Sequence, residues 1–464
     1  MERAKKTKKE LAFIFYTEKQ IQSFLVSGLI EKLKNHYIIT CIVTVKLSDN
    51  FSHFSDIRII QIKSWPRILT LMTNIQQCAY LWRYKDRSMS FTVRAFNQFG
   101  TKSERNRWQS VILYEMENWN FLKRFSVRVL ALNPWLLFLN LLLNLFRRIL
   151  RNRLFNSIIK KNDFHLVLIP FGGHMSAEFT TLSWFFKTQV ESKVVALQEN
   201  WDNLSSKSFI TNEIDGVLVW GEQSSSHVRF LHRKNHIDVH EVGAPKFDLY
   251  WSENTLKPIA ISDVFGRRID LSESDYLLVT GTGDGIDDFQ LISMCYKILE
   301  EMKLENLILV YRPHPKTRTK HDLTKLLEAY PEIIIDEGIE AQFFNHHVPL
   351  VRNARVVINH FSTLSLESLI SHTPVIIPLF LGKPAIYKYT RVINEFQHYI
   401  GLRLIRMLYT PQNPEELKES LQEILRLGED EIEVCFKSLR LEWLCVKGPY
   451  FINVLGAIEK ILQD

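Results

Sequence analysis

The chain of 464 residues is poor in the features that staple a fold or hold a metal. Its five cysteines (Cys41, Cys78, Cys295, Cys435 and Cys445) are scattered with no C-x-x-C pair. That excludes a disulfide scaffold and a thiolate zinc site, and it suits a reducing compartment. His346, His347 and His372 show no H-E-x-x-H or comparable spacing, so no metal is expected. The G-x-S-x-G elbow of α/β-hydrolases is absent. No apolar run reaches the roughly 20 residues needed to span a bilayer. The basic Met1–Glu10 precedes a run, Leu11–Tyr16, that is short and lacks a small-residue cleavage site, so it reads as a first strand and not as a secretory leader. There is no internal repeat and no low-complexity tract.

What the chain does have is material for a large core. It is 46% hydrophobic and 23% charged, and its length suits about two to four domains. The net charge of +7 is local. Between Thr101 and Lys161 lie twelve basic and three acidic residues, a net of +9, which leaves the rest of the chain at −2. Inside that stretch runs PWLLFLNLLLNLF (Pro134–Phe146). Asn140, Asn144, Arg147, Arg148 and Arg151 fall at helical spacing on one side, and Trp135, Leu136, Leu139, Leu142, Leu143 and Phe146 cover the rest. The pattern predicts an amphipathic helix, either lying in the headgroup layer of an anionic membrane or serving as a core helix with a solvated basic end. Basic residues interleaved with aliphatics argue against a nucleic-acid groove.

Short apolar runs alternate with helical stretches. Strands are expected at Leu11–Tyr16, Tyr37–Val45, Ile57–Ile62, His165–Pro170, Lys193–Gln198, Gly216–Trp220 and His236–Val242. After a polar break at Asp248–Asp270 the rhythm repeats, with strands at Tyr276–Thr280, Leu307–Arg312, Glu332–Asp336, Arg355–Asn359 and Val375–Pro378. Continuous apolar runs alternating with helices predict buried parallel strands. The expected class is α/β: two Rossmann-like doubly wound domains facing a cleft, residues 1–250 with a helical insertion at about 101–161, and residues 271–464 with closing helices.

Polar residues gather where such strands end. In LILVYRPHPK, two prolines fix the chain beyond a strand and hold His314 beside Arg312, Pro315 and Lys316, a setting suited to binding phosphate or protonating a leaving oxygen. In VVINHFSTLSLES, a strand runs into Ser362 and Thr363, natural helix caps beside free N–H groups that bind phosphate, with Ser365 following and Glu367 one turn on, near the reach of a sugar hydroxyl. LVTGTGDGIDD carries Gly281 and Gly283 in a tight turn that is neither a GxGxxG fingerprint nor a Walker loop. In the first half, LQENWDNLSSK places Glu199, Trp201, Asp202, Asn203 and Lys207 after a strand; Glu199 or Asp202 can serve as general base. Gly172 and Gly173 allow close backbone approach, and His174 is a further base candidate.

These elements together resemble glycosyltransferases of the GT-B architecture, most closely the group of CDP-glycerol glycerophosphotransferases and capsule sialyl- and Kdo-transferases. That group carries a His-Pro element and a downstream Ser/Thr element toward a cytidine-nucleotide donor; the matching residues are Arg312, His314 and Pro315, then Ser362, Thr363 and Ser365. DGVLVWGEQ and HEVGAPKFD, within Asp215–Asp248, are also similar to the group. Asp336-Glu337-Gly338 has the spelling of the sialyltransferase base element but falls in the second half, so the role is not carried to it.

The resemblance implies transfer of a sugar or glycerol phosphate from a nucleotide-activated donor, cytidine favoured, to a glycan or lipid-linked acceptor in surface polysaccharide synthesis. No cofactor is expected, and the absence of a secretory leader together with the basic amphipathic helix predicts a cytoplasmic protein peripheral to the inner membrane. A UDP-sugar 2-epimerase and a non-catalytic binding protein of the same fold are the alternatives.

Overall fold

A computed structural model describes residues 8–463, except 19, 22–23, 25–26, 46–56, 63–65, 109–120, 160–163, 173–176, 208, 252–259, 263–267, 272–273, 282–287, 305, 315–319, 337–343, 382–384, 438–442 and 444–448. By its contacts the chain divides into two units: Met1–Gln109, Met116–Pro245 and Leu441–Asp464 form the first, and Lys246–Arg440 the body of the second.

The first unit is built on seven parallel strands: β1 (Glu10–Phe15), β2 (Ile38–Val43), β3 (Arg58–Gln61), β4 (Leu166–Phe171), β5 (Lys193–Gln198), β6 (Gly216–Val219) and β7 (Asp238–Glu241), in the order β3-β2-β1-β4-β5-β6-β7. Successive residues of a strand point to opposite faces, and both faces are covered. Ala12, Ile14, Val167 and Ile169 join the helices on one side, while Leu11, Phe13, Leu166 and Leu168 join those on the other. That is why the inner strands are nearly continuous apolar runs, while the edge strands β3 (RIIQ) and β7 (DVHE) carry polar residues and are not buried. The direction of winding reverses between β1 and β4, and the carboxyl ends on either side of such a reversal are where open α/β sheets bind ligands.

The second unit repeats the plan with six parallel strands: β10 (Tyr276–Thr280), β11 (Ile308–Arg312), β12 (Ile334–Ile335), β13 (Val356–Ile358), β14 (Val375–Ile376) and β15 (Leu408–Tyr409), in the order β12-β11-β10-β13-β14-β15. Its reversal lies between β10 and β13. A small antiparallel pair, β8 (Ala260–Ser262) and β9 (Arg268–Asp270), precedes this sheet.

Two expectations are corrected. The sequence reading groups the closing helices with residues 271–464. The last helix instead belongs to the first unit: Val454, Ala457, Ile458 and Ile461, spaced along one helical face of Tyr450–Ile461, are buried with Leu11, Phe13 and Leu166. Lys193 Nζ donates to the Ile461 carbonyl at 2.7 Å and Lys9 Nζ to that of Leu462 at 3.0 Å, placing cations at the negative end of the helix.

The second correction concerns the basic insertion. Four of its surroundings matter here: α1 (Arg67–Arg83), α2 (Phe121–Leu130), α3 (Asn133–Ile159) and α4 (Ala177–Phe185). The sequence sets the polar positions of α3 apart as a basic flank. In the structure Asn140 is half-buried and Arg147 is buried beside Leu139 and Leu143, while Leu137, Phe138, Leu141, Leu145 and Ile149 are 53–70% exposed. Leu137, Leu141, Leu145 and Ile149 follow an i, i+4 row, so they form one outward stripe. Phe121, Leu122 and Phe125 of α2 are exposed as well. Among the described residues no single helix is long and apolar enough to cross a membrane; α2 and α3 qualify only as a pair bent by 92°.

Candidate functional site

In the first unit, polar groups converge at the carboxyl ends of β1, β4 and β5, on both sides of the reversal. Gln20, buried just beyond β1, accepts from the Tyr16 and Thr17 amides at 3.0 and 3.2 Å. Its Nε2 then donates to Glu199 Oε2 at 3.1 Å. Tyr16 OH donates to the Pro170 carbonyl at 2.7 Å and accepts from Gly172 N at 3.1 Å. Burial first, and the nearby Glu199 second, raise the Tyr16 pKa far above its usual 10.0, so the phenol stays protonated. The space at Gly172 is tight: a Cβ there would stand 2.7 Å from Glu199 Oε2 and 3.3 Å from Tyr16 OH. Glu199 is thus a carboxylate held on one oxygen at a strand end.

The other first-unit candidates are placed differently. Asp202 pairs with Lys207 at 2.8 Å and accepts from Ser206 Oγ at 3.0 Å, an arrangement that closes the turn after β5. Asn203 is fully buried, with its Nδ2 on the Phe171 carbonyl, and Trp201 is buried with its indole N–H on Gln223 Oε1 at 3.3 Å. These two side chains join strands and turns. Gly173 and His174 lie outside the described residues.

In the second unit the structure joins residues far apart in sequence. A Cβ on Gly281, which follows β10, would stand 2.8 Å from the backbone N of His314 and 2.5 Å from Asp288 Oδ2. The glycine turn and the His-Pro element are therefore neighbours, and glycine lets them touch. Arg312, ending β11, donates through Nη1 to His347 Nδ1 at 2.5 Å and lies with Nε 3.8 Å from the buried Asp336. A guanidinium has no acceptor, so Nδ1 of His347 must accept, and its proton sits on Nε2. That proton is donated to Glu367 Oε2 at 2.8 Å. Burial and then the Arg312 charge lower the His347 pKa, consistent with the neutral ring this bonding requires.

Glu367 also accepts from Tyr250 OH at 2.7 Å and pairs with Lys246 Nζ at 2.5 Å. Burial alone would raise its carboxyl, but Lys246 and the His347 hydrogen bond outweigh it and hold the pKa well below the carboxylate range. Burial and then Glu367 push the Tyr250 phenol up.

The helix following β13, α5 (Leu364–Ile370), starts without a side-chain cap from Thr363; Ser362 Oγ instead accepts from Leu364 N at 3.2 Å. Ser362 and Thr363 are half-buried and border the helix start. Ser365 is buried, its hydroxyl on Asn359 Oδ1 at 2.9 Å, so it ties the helix to the end of the strand. Gly283, Pro315 and Lys316 lie outside the described residues. Sequence reasoning missed Gln20, Tyr16, Lys246 and Tyr250, and it weighed His347 for metal spacing alone.

No family model matches the sequence, and no curated protein matches it. Solved structures do. A Listeria monocytogenes protein assigned as a UDP-N-acetylglucosamine 2-epimerase is similar over 98% of this chain and 97% of its own, with 12% identity and a TM-score of 0.56. MnaA of S. aureus, solved with UDP, is similar over 98% and 97%, with 11% identity and a TM-score of 0.55. CalG4, the calicheamicin glycosyltransferase, is similar over 98% and 99%, with 11% identity and a TM-score of 0.51. Such a likeness is one of fold: with its two parallel-sheet α/β units, of seven and six strands, the chain has the GT-B fold.

Proposed function

We propose that the chain is a transferase that moves a sugar, or glycerol phosphate, from a nucleotide-activated donor to a glycan or lipid-linked acceptor in surface polysaccharide synthesis. The observation that carries this reading is the assembly of polar groups at strand ends beside the reversal point of each sheet. Glu199, steadied by Gln20, is assigned to the acceptor hydroxyl as general base. His314, next to Gly281 and to the Arg312–His347–Glu367 chain, is assigned to the departing phosphate, with Ser362, Thr363 and the start of α5 alongside it.

The rival reading, a UDP-sugar 2-epimerase, draws on the fold likeness to the L. monocytogenes structure. The outward apolar stripe of α3 supports the transferase, as a surface on which an enzyme could meet a lipid-linked acceptor. Arg148 and Arg151, on the same helix, are exposed as well. The occupant we assign is the headgroup layer of an anionic bilayer, where a lipid-linked acceptor resides. Leu141→Glu/Leu145→Glu is expected to lose co-sedimentation with phosphatidylglycerol vesicles while keeping the wild-type melting temperature. Retained co-sedimentation removes the membrane from the account, and a wild-type dimer dispersed by the same change assigns the stripe to a second copy.

The donor base follows the resemblance. CMP or CDP should raise the melting temperature more than UDP or GDP at equal concentration. A larger shift with UDP moves the donor to uridine, and no shift with any of the four contradicts a nucleotide-dependent enzyme.

A further inference from the structure

Away from the strand-end groups, the first unit holds a cavity of about 490 Å³. The inward side of α3, the end of α1 with the turn after it, and the segments leading into β6 and β7 form its walls. Among the described residues, four cationic side chains line it, Arg87, Arg147, Arg233 and Lys234, against one carboxylate, Glu213. Neither Gly172, Glu199 nor Asp202 is among its lining residues.

The partners of these cations are mostly neutral. Arg147 is 3% exposed; its Nη1 donates to Asn144 Oδ1 at 3.0 Å, and its Nε is buried with no hydrogen-bond partner among the described residues. Burial pushes its pKa down to about 10, with Glu213 pulling the other way. Lys234, also buried, donates to Asn212 Oδ1 at 2.5 Å, and burial lowers its pKa too. Arg87 donates to the Leu231 carbonyl at 3.0 Å and stacks 3.8 Å from the centre of the Tyr84 ring.

His232, in the same wall, adds no charge. Its Nδ1 accepts from Ile210 N and its Nε2 meets the Leu204 carbonyl at 2.7 Å, so one proton suffices; burial lowers its pKa to about 4. Gathering cations with one carboxylate costs free energy through desolvation and mutual repulsion. An anion in the cavity offsets both. Phosphate oxygens, several on one centre, match guanidinium forks and an ammonium better than a single-point anion does.

Aromatic rings line the same cavity. The Tyr80 and Tyr84 rings stack at 5.8 Å, and Phe209 lies beside both. We infer that this cavity binds a phosphate-bearing ligand, with Arg147 and Lys234 holding the phosphate and the Tyr80–Tyr84 wall covering its organic part. The phosphate can come from a lipid headgroup, since α3 turns its apolar stripe outward on its other side, or from a soluble phosphate.

The test is isothermal titration of the full chain with inorganic pyrophosphate and with dihexanoyl phosphatidic acid below its micelle concentration, against potassium chloride at equal ionic strength. Wild type should bind at least one of the two phosphates and not chloride. Arg147→Met and Lys234→Gln should each weaken that binding by about tenfold or more. Tighter binding of the lipid phosphate identifies the headgroup source, and tighter binding of pyrophosphate the soluble one.

Because Arg147→Met removes an incompletely partnered buried charge, its melting temperature without ligand should equal or exceed that of wild type. Exposed Arg233→Ala provides a second variant that leaves the buried wall intact, with a smaller loss of affinity expected. No binding of either phosphate by wild type, or wild-type affinity in Arg147→Met and Lys234→Gln, overturns the proposal. No residue is shared with the transfer site, so the outcome is independent of the transferase reading.

Discussion

Glu199→Gln is expected to lower turnover by about 10²–10⁴-fold, with little change in the KM for the donor. Glutamine keeps the shape and the hydrogen bond to Gln20 Nε2, but it cannot take a proton from the acceptor hydroxyl. The same carboxylate can be disturbed from the other side. Gly172→Ala puts a methyl 2.7 Å from Glu199 Oε2, the far end of a flexible side chain, so the carboxylate moves and the fold does not. Turnover should fall in that variant while the melting temperature stays near wild type. Steady-state kinetics of both variants check the assignment. Wild-type turnover in Glu199→Gln removes the base role, and the paired Asp202 becomes the group to test.

The second large effect is on stability. Glu367→Ala should destabilise the protein by about 3–5 kcal/mol, because it leaves the half-buried Lys246 without its anion and takes an acceptor from both His347 and Tyr250. Glu367→Gln should fall between, since an amide still accepts on one oxygen. The pH dependence has a definite sign. A carboxyl with a depressed folded pKa contributes stability that is full above its ordinary value of 4.5 and is lost as pH falls through the folded value. The wild type should therefore lose stability below pH 4.5 more steeply than Glu367→Ala does. Chemical denaturation from pH 7 downward measures both quantities. An unchanged midpoint in Glu367→Ala at pH 7 would show that the network carries no net stability.

The strands were legible because a strand buried on both faces must be apolar at every position. Residues 166–171 and 276–280 allow few other readings. Leu408–Tyr409 and the β8–β9 pair were not legible, since two or three residues carry no period. The ends of the strands were legible as polar clusters after apolar runs, which is how Glu199, Arg312 and Glu367 came into view. Their bonding was not: Gln20 and Glu199 are 179 positions apart, and nothing local links His347 to Arg312. The helix over Asn133–Ile159 shows a sharper limit. Periodicity separates its two sides but does not say which one meets the protein. A polar cavity, absent from any local pattern, draws Asn140, Asn144 and Arg147 inward and leaves leucines outside. The +9 segment is thus divided, with Arg147 turned inward and Lys123, Arg148 and Arg151 turned out.

The central claim is group transfer, and product analysis with a nucleotide-activated sugar tests it most directly. Purified protein would be incubated with the donor, first alone and then with a lipid-linked glycan, and both the nucleotide and the sugar products resolved. The account predicts that nucleoside phosphate is released and the glycan extended when the acceptor is present, and that the donor sugar keeps its configuration when it is absent. A C2-epimerised sugar formed without any acceptor would contradict the account and establish the epimerase in its place.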